Sequence, residues 1–151
     1  MPAQRLIERH QTVAVAESCT GGLLGAELTR QAGSSAYFKG GILAYCNELK
    51  ASLLNVPQEV LQEHGAVSAE CAAAMAEGAR RQAESDWALS VTGIAGPGGA
   101  TPDKPVGLVF LGLAGPRTTQ TKRCLFQGDR DQIRQQSVQA ALQLLREALD
   151  E

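Results

Sequence analysis

The stretch Ser18-Cys19-Thr20-Gly21-Gly22 sets two hydroxyls and a thiol immediately before a pair of glycines, at the point where an apolar run gives way to a helical pattern. A helix that starts there aims its unpaired N–H groups at the same place, which favours an anion or a charge developing in a reaction. The turn is therefore either an anion cradle or a nucleophile loop, and its residues alone leave both open. Ser18 needs a base to attack anything, because a free hydroxyl is almost never ionised near neutral pH. The two histidines, His10 and His64, each fall at the end of an expected surface helix and read more simply as solvated or capping side chains. Lys50, in Tyr45-Cys46-Asn47-Glu48-Leu49-Lys50, is the other basic candidate, since burial that lowers a lysine pKa turns it into a base, as in Ser–Lys catalysts. Its plain alternative is a solvated helix lysine, and that of Tyr45 is a core ring with its hydroxyl at the rim. Cys19 is a rival nucleophile, because a thiol at a helix start has its pKa lowered.

A third polar strand end, Thr92-Gly93-Ile94-Ala95-Gly96-Pro97-Gly98-Gly99, is too rich in glycine and proline to be regular structure and reads as a binding loop. No Lys-Ser or Lys-Thr follows the glycines at Gly21-Gly22, so that turn is not a phosphate-binding P-loop. Asp129-Arg130-Asp131 is a helix cap in the plain reading, and phosphate or carboxylate recognition by Arg130 or Arg134 in the sharper one.

These loops need a scaffold that brings them to one edge. Thr12 to Glu17 reads as a strand covered on both faces, and Gly21 to about Gln31 as a helix ended by Gly33. Tyr37 to Tyr45 reads as a second strand, and Asn47 as the cap of a helix from Glu48 to Leu54. Pro57 opens a short helix to Glu63, and Ser68 precedes an alanine-rich helix to about Ala83 whose small face suits close packing on a sheet or a second subunit. Trp87 to Thr92 is a third strand; Val106 to Leu113 and Thr118 to Phe126 form a hairpin whose second member, polar on both faces, is an edge. Asp129 caps a final helix with Ile133, Val138, Leu142, Leu145 and Leu149 on one face, and Gln4 to Gln11 forms a short first helix. The expected fold is α/β: a three-layer α/β/α sandwich with a mixed, largely parallel sheet including an antiparallel hairpin.

The 151 residues carry a net charge of -2, with 44% hydrophobic and 20% charged residues, as expected of a single globular domain over residues 1–151 and not of a nucleic-acid binder. No run is long enough for a membrane helix, and Met1-Pro2-Ala3-Gln4-Arg5 lacks the apolar core of a signal peptide, so a cytoplasmic protein is expected. The cysteines Cys19, Cys46, Cys71 and Cys124 form no CxxC pair and read as reduced thiols, with no metal site. The alanine-rich helix and the edge strand make a homo-oligomer, a dimer, the expected assembly.

In order along the chain, Ala16-Glu17-Ser18-Cys19-Thr20-Gly21-Gly22-Leu23, Tyr45-Cys46-Asn47-Glu48-Leu49-Lys50, Gly65-Ala66-Val67-Ser68, Val91-Thr92-Gly93-Ile94-Ala95-Gly96-Pro97-Gly98-Gly99, Pro102-Asp103-Lys104-Pro105-Val106-Gly107 and Gly128-Asp129-Arg130 resemble the successive motifs of the CinA carboxy-terminal domain family. Stand-alone members of that family hydrolyse nicotinamide mononucleotide to nicotinic acid mononucleotide and ammonia in pyridine-nucleotide salvage. The resemblance implies Ser18 as nucleophile, with Lys50 and Tyr45 activating it directly or in relay. It also implies a substrate site lined by Thr20, Gly21, Gly22, Thr92, Gly93 and Gly96, and contact with the nucleotide from Arg130, with Arg134 in reserve. Backbone amides at the helix start after Ser18 would hold the oxyanion, and no cofactor or metal is implied. Cys46 stands where the family more often has serine. The amino-terminal molybdopterin-binding-like domain of many members does not precede these motifs here, so only the amidase activity is implied. The rival expectation is a module with the same fold that binds a nucleotide or a protein partner in competence or DNA-damage responses without catalysis.

Overall fold

The computed structural model describes residues 1–151. At its centre runs β1 (Val13–Glu17), buried along its whole length as its unbroken apolar run requires. It pairs in parallel with β2 (Phe38–Leu43) on one side and β3 (Trp87–Gly93) on the other. Antiparallel β4 (Leu108–Ala114) and β5 (Thr119–Leu125) complete a five-stranded sheet in the order β2-β1-β3-β4-β5. Parallel and antiparallel ladders are thus equal in number, although β4 is the single strand that points against the rest. β5 is the exposed edge that its polar alternation predicts.

Six helices cover the two faces: α1 (Ala3–Glu8), α2 (Leu23–Leu28), α3 (Asn47–Leu54), α4 (Gln58–Glu63), α5 (Ala69–Ala83) and α6 (Arg130–Leu149). The pleat of β1 sends Val13 and Val15 into the larger core with Leu6, Leu24, Leu28, Leu142 and Leu145, from α1, α2 and α6. Ala14 and Ala16 face the smaller core with Leu54, Leu61, Cys71 and Met75, from α3, α4 and α5. These are the three layers expected. The second face is built for close approach: Ser90 Oγ donates to the Ala72 carbonyl of α5 (2.6 Å), and a Cβ on Gly112 would lie 2.4 Å from that same oxygen. The small face of α5 is therefore buried on its own sheet and on α3, where a Cβ on Gly78 would stand 2.1 Å from the Leu54 carbonyl.

Boundaries differ from the sequence reading where side chains decide them. Gly21 and Gly22 take φ of +55° and +109°, so α2 begins at Leu23, beyond both glycines. Cys46, not Asn47, occupies the cap position of α3, and Pro57 caps α4. Tyr37 lies outside β2, buried, with its hydroxyl donating to the Leu28 carbonyl (2.6 Å). Asp129 caps α6 as expected, in a full capping box with Gln132, and Ser68 caps α5. No helix is long and apolar enough to cross a membrane. The carboxyl ends of β1, β2 and β3 lie side by side, so the loops that follow them share one edge with the start of α6.

Candidate active site

Ser18 is the first residue after β1, and its N–H donates to the Val91 carbonyl (3.0 Å), which extends the β1–β3 ladder by one bond and fixes the residue. From the neighbouring strand, β2 leads into α3 and brings Lys50 back beneath it. Lys50 Nζ lies 3.0 Å from Ser18 Oγ, 2.8 Å from the Ala44 carbonyl and 2.9 Å from the Tyr45 carbonyl. The side chain is 1% exposed and no carboxylate pairs with it. Burial accordingly draws the Lys50 pKa down from its ordinary 10.5. A neutral amine has two N–H groups and one lone pair. When the amine is charged it donates to all three oxygens; when it is neutral, Ala44 and Tyr45 take the two N–H groups and the lone pair is left for the Ser18 hydroxyl proton.

Glu17 changes the role of the helix start. Its carboxylate, 1% exposed, accepts from Thr20 Oγ1 (2.6 Å) and from the N–H groups of Gly22 (3.2 Å), Leu24 (2.9 Å) and Gly25 (2.9 Å). The cradle expected at the start of α2 is therefore filled by the chain's own anion, and no external anion is needed to satisfy it. Thr20 turns its hydroxyl inward onto that carboxylate instead of toward the crevice. Two amides of the turn remain free of the rest of the chain: the N–H groups of Cys19 and Thr20 donate to no other residue. They follow Ser18 directly in the chain, and they are the donors available to an oxyanion.

Cys19 does not compete with Ser18. Its thiol is buried, and burial raises its pKa to about 11, the reverse of the lowering expected at a helix start. Glu17, lying across that start, adds to the rise. The thiol stays protonated near neutral pH, whereas the lysine contact falls on Ser18.

The remaining sequence candidates divide by position. Tyr45 offers its main-chain carbonyl to Lys50, but the residue is 64% exposed and its hydroxyl, 3.5 Å from Arg130 Nη2, bonds neither Ser18 nor Lys50. Arg130 also donates from Nη1 to the Gly96 carbonyl (2.7 Å), so it bridges the loops after β2 and β3 across the crevice. Arg134 turns to the Ser18–Gly22 turn, donating to the carbonyls of Cys19 (3.0 Å) and Thr20 (3.2 Å). Thr92, 1% exposed, donates to the Ala66 carbonyl (2.8 Å) and fastens the α4–α5 connection. Gly93 is a packing glycine, since a Cβ there would meet Val109 Cγ2 at 2.6 Å. His64 faces Glu70 (3.6 Å), and exposed His10 sits at a φ of +53°; neither bonds Ser18. No cluster of three or more His, Cys, Asp or Glu side chains gathers to hold a metal. Glu17 and the Ala44 carbonyl are the functional groups that sequence reasoning missed. For Glu17 the signal was present, a carboxylate ending a buried strand just before a helix start.

A profile of the CinA C-terminal domain matches residues 2–149. The chain is 56% identical over 150 residues to a CinA-like protein of Thermosynechococcus vestitus, covering 97% of this chain and 36% of that protein. A CinA-like protein of Citrifermentans bemidjiense is 55% identical over 144 residues, covering 95% and 35%. The chain thus spans about a third of the length of the curated relatives it matches. Among solved structures, competence damage-inducible protein A of Klebsiella pneumoniae superposes with a TM-score of 0.95 at 38% identity, over 99% of this chain and 92% of that one. The competence/damage inducible protein CihA of Agrobacterium tumefaciens superposes with a TM-score of 0.92 at 40% identity, over 99% and 93%. With the profile covering nearly every residue and the fold shared throughout, the chain belongs to the CinA C-terminal domain family.

Proposed function

We propose that the chain is a nicotinamide-nucleotide amidohydrolase that converts nicotinamide mononucleotide to nicotinic acid mononucleotide and ammonia, as a cytoplasmic salvage enzyme. The observation that carries this reading is the buried Lys50 amine 3.0 Å from Ser18 Oγ, with its two other contacts on main-chain carbonyls. A binding module has no use for a desolvated amine against a serine hydroxyl, because the burial costs stability and returns no ligand contact.

In the first half-reaction Lys50 takes the Ser18 proton as Oγ bonds to the carboxamide carbon, and the carbonyl oxygen becomes an oxyanion facing the Cys19 and Thr20 N–H groups. Collapse breaks the carbon–nitrogen bond, and the ammonium of Lys50 returns the proton so that ammonia leaves. In the second, Lys50 takes a proton from water as its oxygen attacks the acyl carbon. The Ser18 ester breaks and the proton returns to Oγ. In this reading exposed Tyr45 and Arg130, at the crevice mouth, meet the pyridine ring and the phosphate.

The test is ammonia release from nicotinamide mononucleotide with a chelator present. Release by the native chain, with none from Ser18→Ala despite retained nucleotide binding by calorimetry, supports the amidase. Nucleotide binding without ammonia from the native chain would replace it with the non-catalytic module.

A further inference from the structure

We infer that Arg134 is a positioning residue for the reaction: by holding the Cys19 carbonyl from α6, it turns the Cys19–Thr20 peptide plane so that the Thr20 N–H joins the Cys19 N–H in the oxyanion site. The inference rests on the acyl-transfer reading above and adds a residue to it.

A trans peptide is planar, with its C=O and N–H on opposite sides, so fixing a carbonyl aims the N–H of the next residue the other way. The Ser18 carbonyl accepts from Gly21 N–H (3.1 Å), which fixes the plane that carries the Cys19 N–H. The Cys19 carbonyl accepts from Arg134 Nε (3.0 Å), which fixes the plane that carries the Thr20 N–H. Arg134 Nη2 and the Leu23 N–H together hold the Thr20 carbonyl, at 3.2 and 3.0 Å. Arg134 alone holds the Cys19 carbonyl, so without it that plane has no side-chain or main-chain restraint on its oxygen. These two N–H groups are the ones that no other residue accepts from.

The guanidinium reaches the turn from a rigid support. Its neighbours Ile133 and Ser137 are buried in α6, and the helix is closed at its start by the Asp129–Gln132 box. Gly21 makes room: a Cβ there would lie 3.3 Å from Arg134 Nη2. Charge enters as well. Glu17 places a carboxylate under the turn, which opposes a second negative charge forming above it, and Arg134 supplies the compensating cation at the carbonyl end, where it polarises the same peptide groups. Cys19 registers both charges, Arg134 lowering its pKa and Glu17 raising it. A phosphate-binding role suits Arg130 better, because Arg134 already has two of its nitrogens on carbonyls while Arg130 Nη2 has only the long 3.5 Å contact to Tyr45.

The experiment compares the native chain, Arg134→Gln and Arg134→Lys on nicotinamide mononucleotide and on nicotinamide riboside, which lacks the phosphate. A misaimed oxyanion donor lowers kcat by about 10²–10³-fold. Arg134→Gln should show that loss by the same factor on both substrates, with KM held within about threefold, and Arg134→Lys should recover part of it. A rise in KM on the nucleotide with kcat unchanged, absent on the riboside, would make Arg134 a phosphate ligand and overturn the inference. NMR relaxation of the Cys19 and Thr20 amides reads the positioning without turnover. The Thr20 amide should become more mobile in Arg134→Gln while the Cys19 amide, set by the Gly21 contact, and the α6 amides keep their order, and unchanged Thr20 mobility would overturn the inference. Absence of ammonia from the native chain with the Thr20 amide loosened in the variant would sink the amidase reading and leave the positioning role standing. If Arg134→Gln fails to fold by circular dichroism, Arg134→Lys carries the same two readouts.

Discussion

Replacing Lys50 by methionine keeps the chain length and removes the amine, so it separates base chemistry from packing. The variant leaves the Ala44 and Tyr45 carbonyls without their 2.8 and 2.9 Å donors, and an unsatisfied buried acceptor costs about 1–3 kcal/mol. Against that loss, methionine escapes the desolvation that draws the lysine pKa below 10.5. The balance depends on pH with a definite sign. Between the lowered folded pKa and 10.5, the unfolded chain binds more protons than the folded one, so native stability rises with pH across that window and is level on either side. Methionine does not titrate. The stability deficit of Lys50→Met should therefore be smallest at about pH 6 and grow toward about pH 9.5, read as urea midpoints at the two values. Ammonia release should fall by about 10²–10⁴-fold, and the native rise of rate with pH, inflecting below 10.5, should vanish in the variant. A deficit equal at both pH values, together with a surviving inflection, would refute Lys50 as the neutral base.

Three further substitutions test its surroundings. Tyr45→Phe removes a hydroxyl whose one contact is Arg130 at 3.5 Å, so kcat should change by less than about tenfold, and a loss beyond about 100-fold would put that hydroxyl in the proton route. Glu17→Gln turns an amide NH₂ onto either the Gly25 N–H or the three donors at Oε1, which should lower stability in urea by about 1–3 kcal/mol; an unmoved midpoint would refute the tight carboxylate. Cys19→Ser should retain turnover within about fivefold, since a thiol with a pKa of about 11 is not the nucleophile, and its loss with Ser18 intact would reverse that assignment. In the native chain, iodoacetamide at about pH 8 should label exposed Cys46 before buried Cys19, as mass spectrometry of the peptides reports.

Much of the fold was legible because local rules act within a few residues. The unbroken apolar run of β1, the Asp129 cap and the polar alternation of β5 each declare their element without reference to distant chain. What spans the fold was not legible from local pattern. Ser18 and Lys50 lie 32 positions apart and meet only because β1 and β2 are neighbours in the sheet, a pairing no local pattern encodes. The inward turn of Thr20 depends on a carboxylate reaching forward from Glu17, and that of Thr92 on the Ala66 carbonyl arriving from the α4–α5 connection. A hydroxyl at a strand end looks the same in sequence whether it faces solvent or a buried acceptor. The small face of α5 fitted a sheet or a second subunit equally well, and burial against Gly112 and Ser90 decided for the sheet.

The carboxylate of Glu17 divides the labour between the parts of the crevice. A turn that carries its own anion is ordered before any ligand arrives, so binding loses little conformational entropy there and solution phosphate or sulfate has no place to compete. Under the proposed function, discrimination among ligands falls to the two loops and the helix start that carry Tyr45, Gly96 and Arg130, joined by contacts of 3.5 and 2.7 Å. Selection on those residues can retune what is accepted while Ser18 and Lys50 stay as they are, and a fold arranged in this way can diverge in substrate without rebuilding its chemistry.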